Sequence, residues 1–166
     1  DHIGNDLTRI ENEIDKLALN LGERKSITEA DIEEYIGVSK DFNVFELQSA
    51  LATKDLSKSI RIIQYFDANP KAGPVQVVFP SLYNFFSKVF MVYGAGTQDE
   101  KTLAAMIGVN PYFMKEYIQA SRVYSYPQVE KALLLLHNYN LKSVGVGSSA
   151  TSDGELMKEL VVKILA

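Results

Sequence analysis

From Val75 to Tyr93 the chain is apolar on nearly every side, and aromatic residues recur at Phe79, Tyr83, Phe86, Phe90 and Tyr93, spaced four, three, four and three. Spacing of that kind gathers side chains into one stripe along an α-helix. A helix apolar all round must be covered from several directions, so it is either the central member of a bundle or part of an interface. Pro80 lies inside the run. An interior proline removes one hydrogen bond and clashes with the preceding turn, at a cost of roughly 3 kcal/mol, so a kink or a fresh helix start is expected there.

The remaining segments supply helices to surround it. Ile3, Leu7, Ile10, Ile14, Leu17 and Leu21 form a single stripe, with Gly22 placed to end that helix. Thr28, with Asp31 in the reciprocal position, can cap a second helix whose apolar face is Ile32, Tyr35 and Ile36, up to Gly37. Phe45, Leu47, Ala50 and Leu51 mark a third, and Asp55 can cap a fourth carrying Leu56, Ile60, Ile63 and Phe66, which stops at Asn69-Pro70. Thr97-Gln98-Asp99-Glu100 reads as a capping box for a short helix closed by Gly108, and Asn110-Pro111 as an N-cap with proline at the first helical position. Pro127 opens a helix through Val129, Leu133, Leu136 and Leu141. Ser152-Asp153-Gly154-Glu155 is a further capping box, ahead of Leu156, Leu160, Val161, Ile164 and Leu165. Alternating strand patterns of useful length are absent, so the expected fold is all-α, with more than half of the chain helical.

Charge divides the chain. Residues 1–37 hold ten acids against four bases, whereas residues 38–166 hold eleven against thirteen. The change falls between Gly37 and Phe42, which predicts two separate packing units: a small helical one over residues 1–40, the remnant of a bundle, and a larger helical domain over 41–166. The near-neutral second part lacks the strong positive field of a dedicated nucleic-acid binder. With 166 residues, 46% of them hydrophobic, there is enough apolar surface for a real core. A chain that starts at Asp1 and enters a helical pattern almost at once reads as a piece of something longer.

The absence of cysteine removes disulfides, thiolate zinc sites and a cysteine nucleophile together, and it suits a reducing cytoplasm. No basic leader and no run of about 18 consecutive apolar residues is seen, so neither export nor membrane spanning is expected. His2 and His137 are the two imidazoles, and neither has a carboxylate or a second histidine at ligand spacing. Gly145-Val146-Gly147-Ser148-Ser149 contains a GxG but no following Lys-Ser or Lys-Thr, and reads as a flexible loop. Glu33-Glu34 and Asp99-Glu100 suit helix first turns and polar faces better than acid–base chemistry. No catalytic residue, metal site or cofactor is expected.

One sharper possibility is a helix-turn-helix, with Thr102 to Val109 as the first helix and Pro111 to Ser121 as the second. The second helix offers one lysine, Lys115, and one glutamine, Gln119, against an aromatic cluster. DNA reading usually needs several basic side chains to neutralise phosphates, so a helical hairpin in a core is the favoured reading.

In order and spacing, the segments resemble the delta-subunit family of the bacterial DNA polymerase III clamp loader over nearly the whole chain. Gly4-Asn5-Asp6-Leu7 with Glu11 to Leu17 is similar to a helix of the family's second, lid-like domain, and Ile27 to Ile32 to the helix start that follows. Asn43 to Leu47 with Ala50-Leu51, then Asp55-Leu56 and Ile60, resembles the beginning of the C-terminal collar domain. Gly108 to Tyr112 with Gln119-Ala120-Ser121, and later Leu133, Leu136, Leu141 and Lys142, resembles its second half. One departure is Asn140, where the family often has an aspartate; a salt bridge to Lys142 would lose its acid.

The resemblance implies a non-catalytic subunit of a DNA-replication complex, a pentameric assembly that opens a ring-shaped sliding clamp and loads it onto primed DNA. Residues 1–40 would be the lid remnant and 41–166 the collar, which joins delta to ATPase subunits of the gamma/tau type and to a delta-prime-type subunit. The clamp itself would be met only through an N-terminal domain that this sequence does not contain, and no ATP site is implied. Phe79, Tyr83, Phe86, Phe90 and Tyr93 are the candidate subunit interface, directly or by shaping the surface.

Overall fold

The computed structural model describes residues 7–21, 24, 26–28, 42–97, 99–147 and 151–166. The chain divides into two compact units, Asp1–Asp41 and Phe42–Ala166. In the first unit, helix α1 spans Leu7–Leu21. Leu17 and Leu21 are buried as their stripe predicts, but Ile14 is 54% exposed, so the stripe is not covered along its whole length. His2, Ile3, Gly22 and the helix expected after Thr28 lie outside the described residues.

The second unit contains α2 (Val44–Ala52), α3 (Leu56–Ala68), α4 (Val75–Gly94), α5 (Glu100–Ile107), a 3-10 turn (Pro111–Phe113), α6 (Met114–Val123), α7 (Tyr126–Ser143) and α8 (Asp153–Leu165). No strand occurs among the described residues, and the all-α expectation holds. Most starts are set by side chains that satisfy the orphan N–H groups of a first turn. The Asn43 side-chain oxygen accepts from the Phe45 and Glu46 N–H groups at 2.9 and 3.1 Å. Asp55 accepts from Lys58 N–H at 2.8 Å, Asn110 from Tyr112 N–H at 2.9 Å, and Ser152 from Glu155 N–H at 3.2 Å.

One expected cap moves: Asp99, not Thr97, caps α5, accepting from the backbone N–H of Thr102 at 2.8 Å and from its hydroxyl at 2.6 Å. A carboxylate at the positive end of a helix outcompetes a hydroxyl two residues earlier. The start of α7 is a Ser125/Gln128 capping box, with Pro127 inside its first turn.

Helix α4 is the central member. It packs most extensively on α7 and also meets α6, α2 and α5, while α8 closes the unit against α3 and α7. Its buried arc is Val75, Val78, Phe79, Leu82, Phe85, Phe86 and Val89. With a step of about 100° per residue, that arc centres near Leu82, roughly 60° round the helix from the axis of the aromatic stripe. By length and composition α4 could cross a membrane, yet here its buried arc forms part of the main core of this unit.

No fresh start occurs at Pro80, because α4 runs through it from Val75 to Gly94. The residue falls in the second turn, where the carbonyl left without a partner is that of Gln76. Both Gln76 and Pro80 are exposed, so water can take the place of the lost donor.

Two turns repeat one solution. After α7, Gly145 adopts φ 87°, Val146 N–H donates to Leu141 O at 3.0 Å, and Gly145 N–H donates to Lys142 O at 3.0 Å. This is a Schellman cap, so the first glycine of the GxG ends a helix instead of sitting in a free loop. After α2 the same pattern places a non-glycine, Lys54, at φ 54°, with Asp55 N–H donating to Ala50 O at 2.8 Å. Asp55 thereby ends α2 and caps α3 in two consecutive steps.

Tyr124 ties the C-terminus of α6 to α2. Its ring is buried and stands edge-on to Phe86 at 5.4 Å, and its hydroxyl donates to Leu51 O at 2.8 Å. Burial holds the phenol well above its ordinary range. The folded state therefore keeps that proton longer than the unfolded chain: its contribution is intact below about pH 10 and is lost as pH rises beyond. Tyr124→Phe is expected to lower stability by about 1–1.5 kcal/mol with the fold retained, as read by urea unfolding. An unchanged midpoint would show that this hydrogen bond contributes nothing.

Candidate interaction surface

The structure separates the five aromatic residues of the α4 stripe. Phe79 and Phe86 are inside the core, and Phe86 makes edge-on contacts with Phe85 and Tyr124. Phe90 is half-buried under Tyr126, with ring centroids 4.8 Å apart. Tyr93 lies near the same ring, and its hydroxyl donates to the carbonyls of Ser121 and Tyr124, which binds α4 to the end of α6. Burial raises the Tyr93 phenol above its usual range. Tyr83 is 47% exposed and lines a groove of about 250 Å³ between α4 and α7 with Phe79, Pro80, Leu136, His137 and Asn140. Sequence spacing thus collects residues of three kinds: core, inter-helix tie and open surface.

Lys142 meets no acid at Asn140; its ammonium lies 4.4 Å from the centre of the Tyr139 ring. Lys163 donates to the Tyr139 hydroxyl at 2.9 Å and pairs with Glu159 at 2.6 Å. Among the described residues no group of histidines and carboxylates could hold a metal ion.

In the hairpin read as a possible helix-turn-helix, Leu103, Ala104, Ile107 and Met114 form a small core of their own, packed with Val92, Val109, Tyr117 and Ile118. The apolar side of α6 is therefore occupied by packing. Gly108 closes α5 at φ 67°.

A second groove was not foreseen. About 850 Å³ in volume, it lies where α2 meets the turn before α6, and its walls include Phe45, Tyr112 and Phe113. These rings are 73%, 82% and 54% exposed, and Tyr112 and Phe113 stand edge-on at 5.2 Å. Exposed large aromatics gathered in one place mark an interaction surface more often than scattered ones do. Glu46 and Glu116 also line it, both half-buried, and the Ser49 hydroxyl donates to Glu116. The sequence signal is present only in fragments: Phe45 marks a helix, Tyr112 is amphipathic enough to sit at a protein–protein interface, and Phe113 belongs to an aromatic cluster that hydrophobicity would bury.

Fold and surface together define a helical packing module with one groove lined by aromatic rings and carboxylates. No family model matches the chain. Over 159 residues it is 23% identical to DNA polymerase III subunit delta of Bacillus subtilis (strain 168), a match covering 93% of this chain and 43% of that protein, in its C-terminal part. Its structure is similar to the Bacillus subtilis DNA clamp loader delta protein, with a TM-score of 0.59 and 19% identity, covering 96% of this chain and 46% of that one. The chain spans less than half the length of either. The resemblance read from the residues and the likeness of the fold fall on the same kind of protein.

Proposed function

We propose that this chain is the C-terminal part of a clamp-loader delta subunit, acting in DNA replication as an assembly element with no catalytic site of its own. The observation that carries this reading is that sequence similarity and fold similarity, each over more than nine-tenths of the chain, lead to the same protein. Residues 1–40 act as the remnant of the lid-like domain and 41–166 as the collar. The partners are the gamma/tau-type ATPase subunits and a delta-prime-type subunit in the cytoplasm, with primed DNA met in the assembled complex and no membrane involved. The helix-turn-helix reading is not favoured, because α6 commits its apolar side to packing and carries Lys115 and Arg122 as its only bases.

Within the collar, Tyr83 and the partly covered Phe90 contribute directly, while Phe79, Phe86 and Tyr93 hold α4 in place beneath them. The test is to mix the chain with the ATPase and delta-prime subunits of the same bacterium and follow co-elution. Co-migration is expected, and its absence with every subunit would overturn the reading. Tyr83→Ala, which should stay folded by circular dichroism, is expected to cost about 2 kcal/mol, roughly thirtyfold in affinity. Wild-type affinity for that variant would remove this face from the contact.

A further inference from the structure

We propose that the groove between α2 and the turn leading into α6 is a docking site for an arginine-bearing segment of another protein chain. Three aromatic rings, Phe45, Tyr112 and Phe113, stand open to solvent along it. Two carboxylates, Glu46 and Glu116, are half-buried among them, and among the described residues neither is ion-paired. The Ser49 hydroxyl donates to Glu116, fixing the acid's position without neutralising it. The one base on the lining, Lys115, is exposed, so the groove carries a surplus of negative charge.

A purely apolar helix would fill the aromatic walls and leave two carboxylates partly desolvated and unpaired, which is unfavourable. An acidic segment or a nucleic acid backbone would be repelled. A guanidinium satisfies both features at once. It stacks on aromatic faces, it is weakly hydrated, and its planar fork of donors fits a carboxylate in a bidentate way. Lysine fits less well, as a compact and strongly hydrated charge. Apolar residues flanking the arginine would then cover the remaining ring surface.

The chemistry of this site follows from the groove alone. The identity of the chain that supplies the arginine rests on the collar reading, which makes it an adjoining clamp-loader subunit. A collar member has a neighbour on either side, and this groove belongs to a different helix pair from the Tyr83 surface.

The experiment has two arms, so that this proposal and the collar reading can fail separately. In the first, the full chain is titrated with an end-blocked Leu-Arg-Leu peptide, and the ring resonances of Phe45, Tyr112 and Phe113 are followed by NMR, with Leu-Glu-Leu and Leu-Lys-Leu as comparisons. Saturable shifts are expected with the arginine peptide, weaker ones with lysine and none with glutamate. A Glu46→Gln/Glu116→Gln variant is expected to weaken arginine binding roughly tenfold or more. Absent shifts, or shifts of equal size with the glutamate peptide, would overturn the proposal.

In the second arm, Phe45→Ala/Tyr112→Ala is tested for co-elution with the ATPase and delta-prime subunits. Both side chains are exposed, so circular dichroism should be unchanged. A loss of roughly tenfold or more in affinity is expected. Unchanged co-elution overturns the groove as a subunit contact and leaves the collar reading standing. If the wild-type chain binds no subunit, the collar reading falls, and the peptide titration alone decides whether the groove accepts arginine.

Discussion

Phe86→Ala is expected to bring the second unit close to unfolding, with a loss of about 3–5 kcal/mol. The ring is fully buried at the middle of α4, and it makes edge-on contacts with Phe85 at 5.3 Å and Tyr124 at 5.4 Å. Removing it leaves a cavity lined by residues from α4 and α6 that cannot close up, because Tyr124 is itself held by its bond to Leu51 O. Each lost aromatic pair adds about 0.5–1.5 kcal/mol to the transfer and cavity costs. Set against the 5–15 kcal/mol typical of a whole domain, that is a large share. In a thermal melt the midpoint should fall by roughly 10–20 °C. Tyr83→Ala, four residues from Phe79 but facing outward, should stay within about 1 kcal/mol of wild type. A Phe86→Ala midpoint within a few degrees of wild type would mean that α4 is not packed in solution as described.

Gly73→Ala should also be disruptive, although it adds a single methyl group. Gly73 is buried in the turn between α3 and α4, and a Cβ built there would come within 2.2 Å of the Phe66 ring. Its backbone is not in the left-handed region, so alanine suffers from lack of space and not from conformation. The ring cannot step aside, because Phe66 is 1% exposed and belongs to the main core. Over-packing of this kind costs about 1–3 kcal/mol and occasionally more.

A double-mutant cycle separates that explanation from any other. Phe66→Leu alone removes core contacts and destabilises, but Gly73→Ala in the Phe66→Leu background should cost less than in the wild type, because the colliding atoms are gone. Strict additivity of the two changes would rule out the collision as the cause. Gly94→Ala is a useful comparison, since a Cβ there meets nothing within 4 Å.

How much of this was legible beforehand depends on the range of the interaction. Helix starts at Asp55, Asn110 and Ser152 could be read because a cap involves a side chain and an N–H group two or three residues away. The αL position at Gly108 and the stop at Asn69 follow from equally local preferences. Where a local rule failed, another local term outweighed it, as Asp99 displaced Thr97, or solvent relieved the penalty, as at Pro80. By itself, then, the sequence determined an all-helical chain with α4 as its most apolar member, and the residues that carry the resemblance to the delta subunit.

Only tertiary packing decided which side of α4 is covered. The stripe Phe79, Tyr83, Phe86, Phe90 and Tyr93 is a property of spacing, but the buried arc is set by where α6 and α7 lie, and it centres on Leu82 instead. Packing likewise left Phe45 and Phe113 in solvent when hydrophobicity alone would have placed them inside. The groove they line with Tyr112 joins residues far apart in the chain: Ser49 and Glu116, which bond across it, are 67 positions apart. Hydrophobicity says that a side chain gains by leaving water, but whether a neighbour is available to receive it is a fact of the assembled fold.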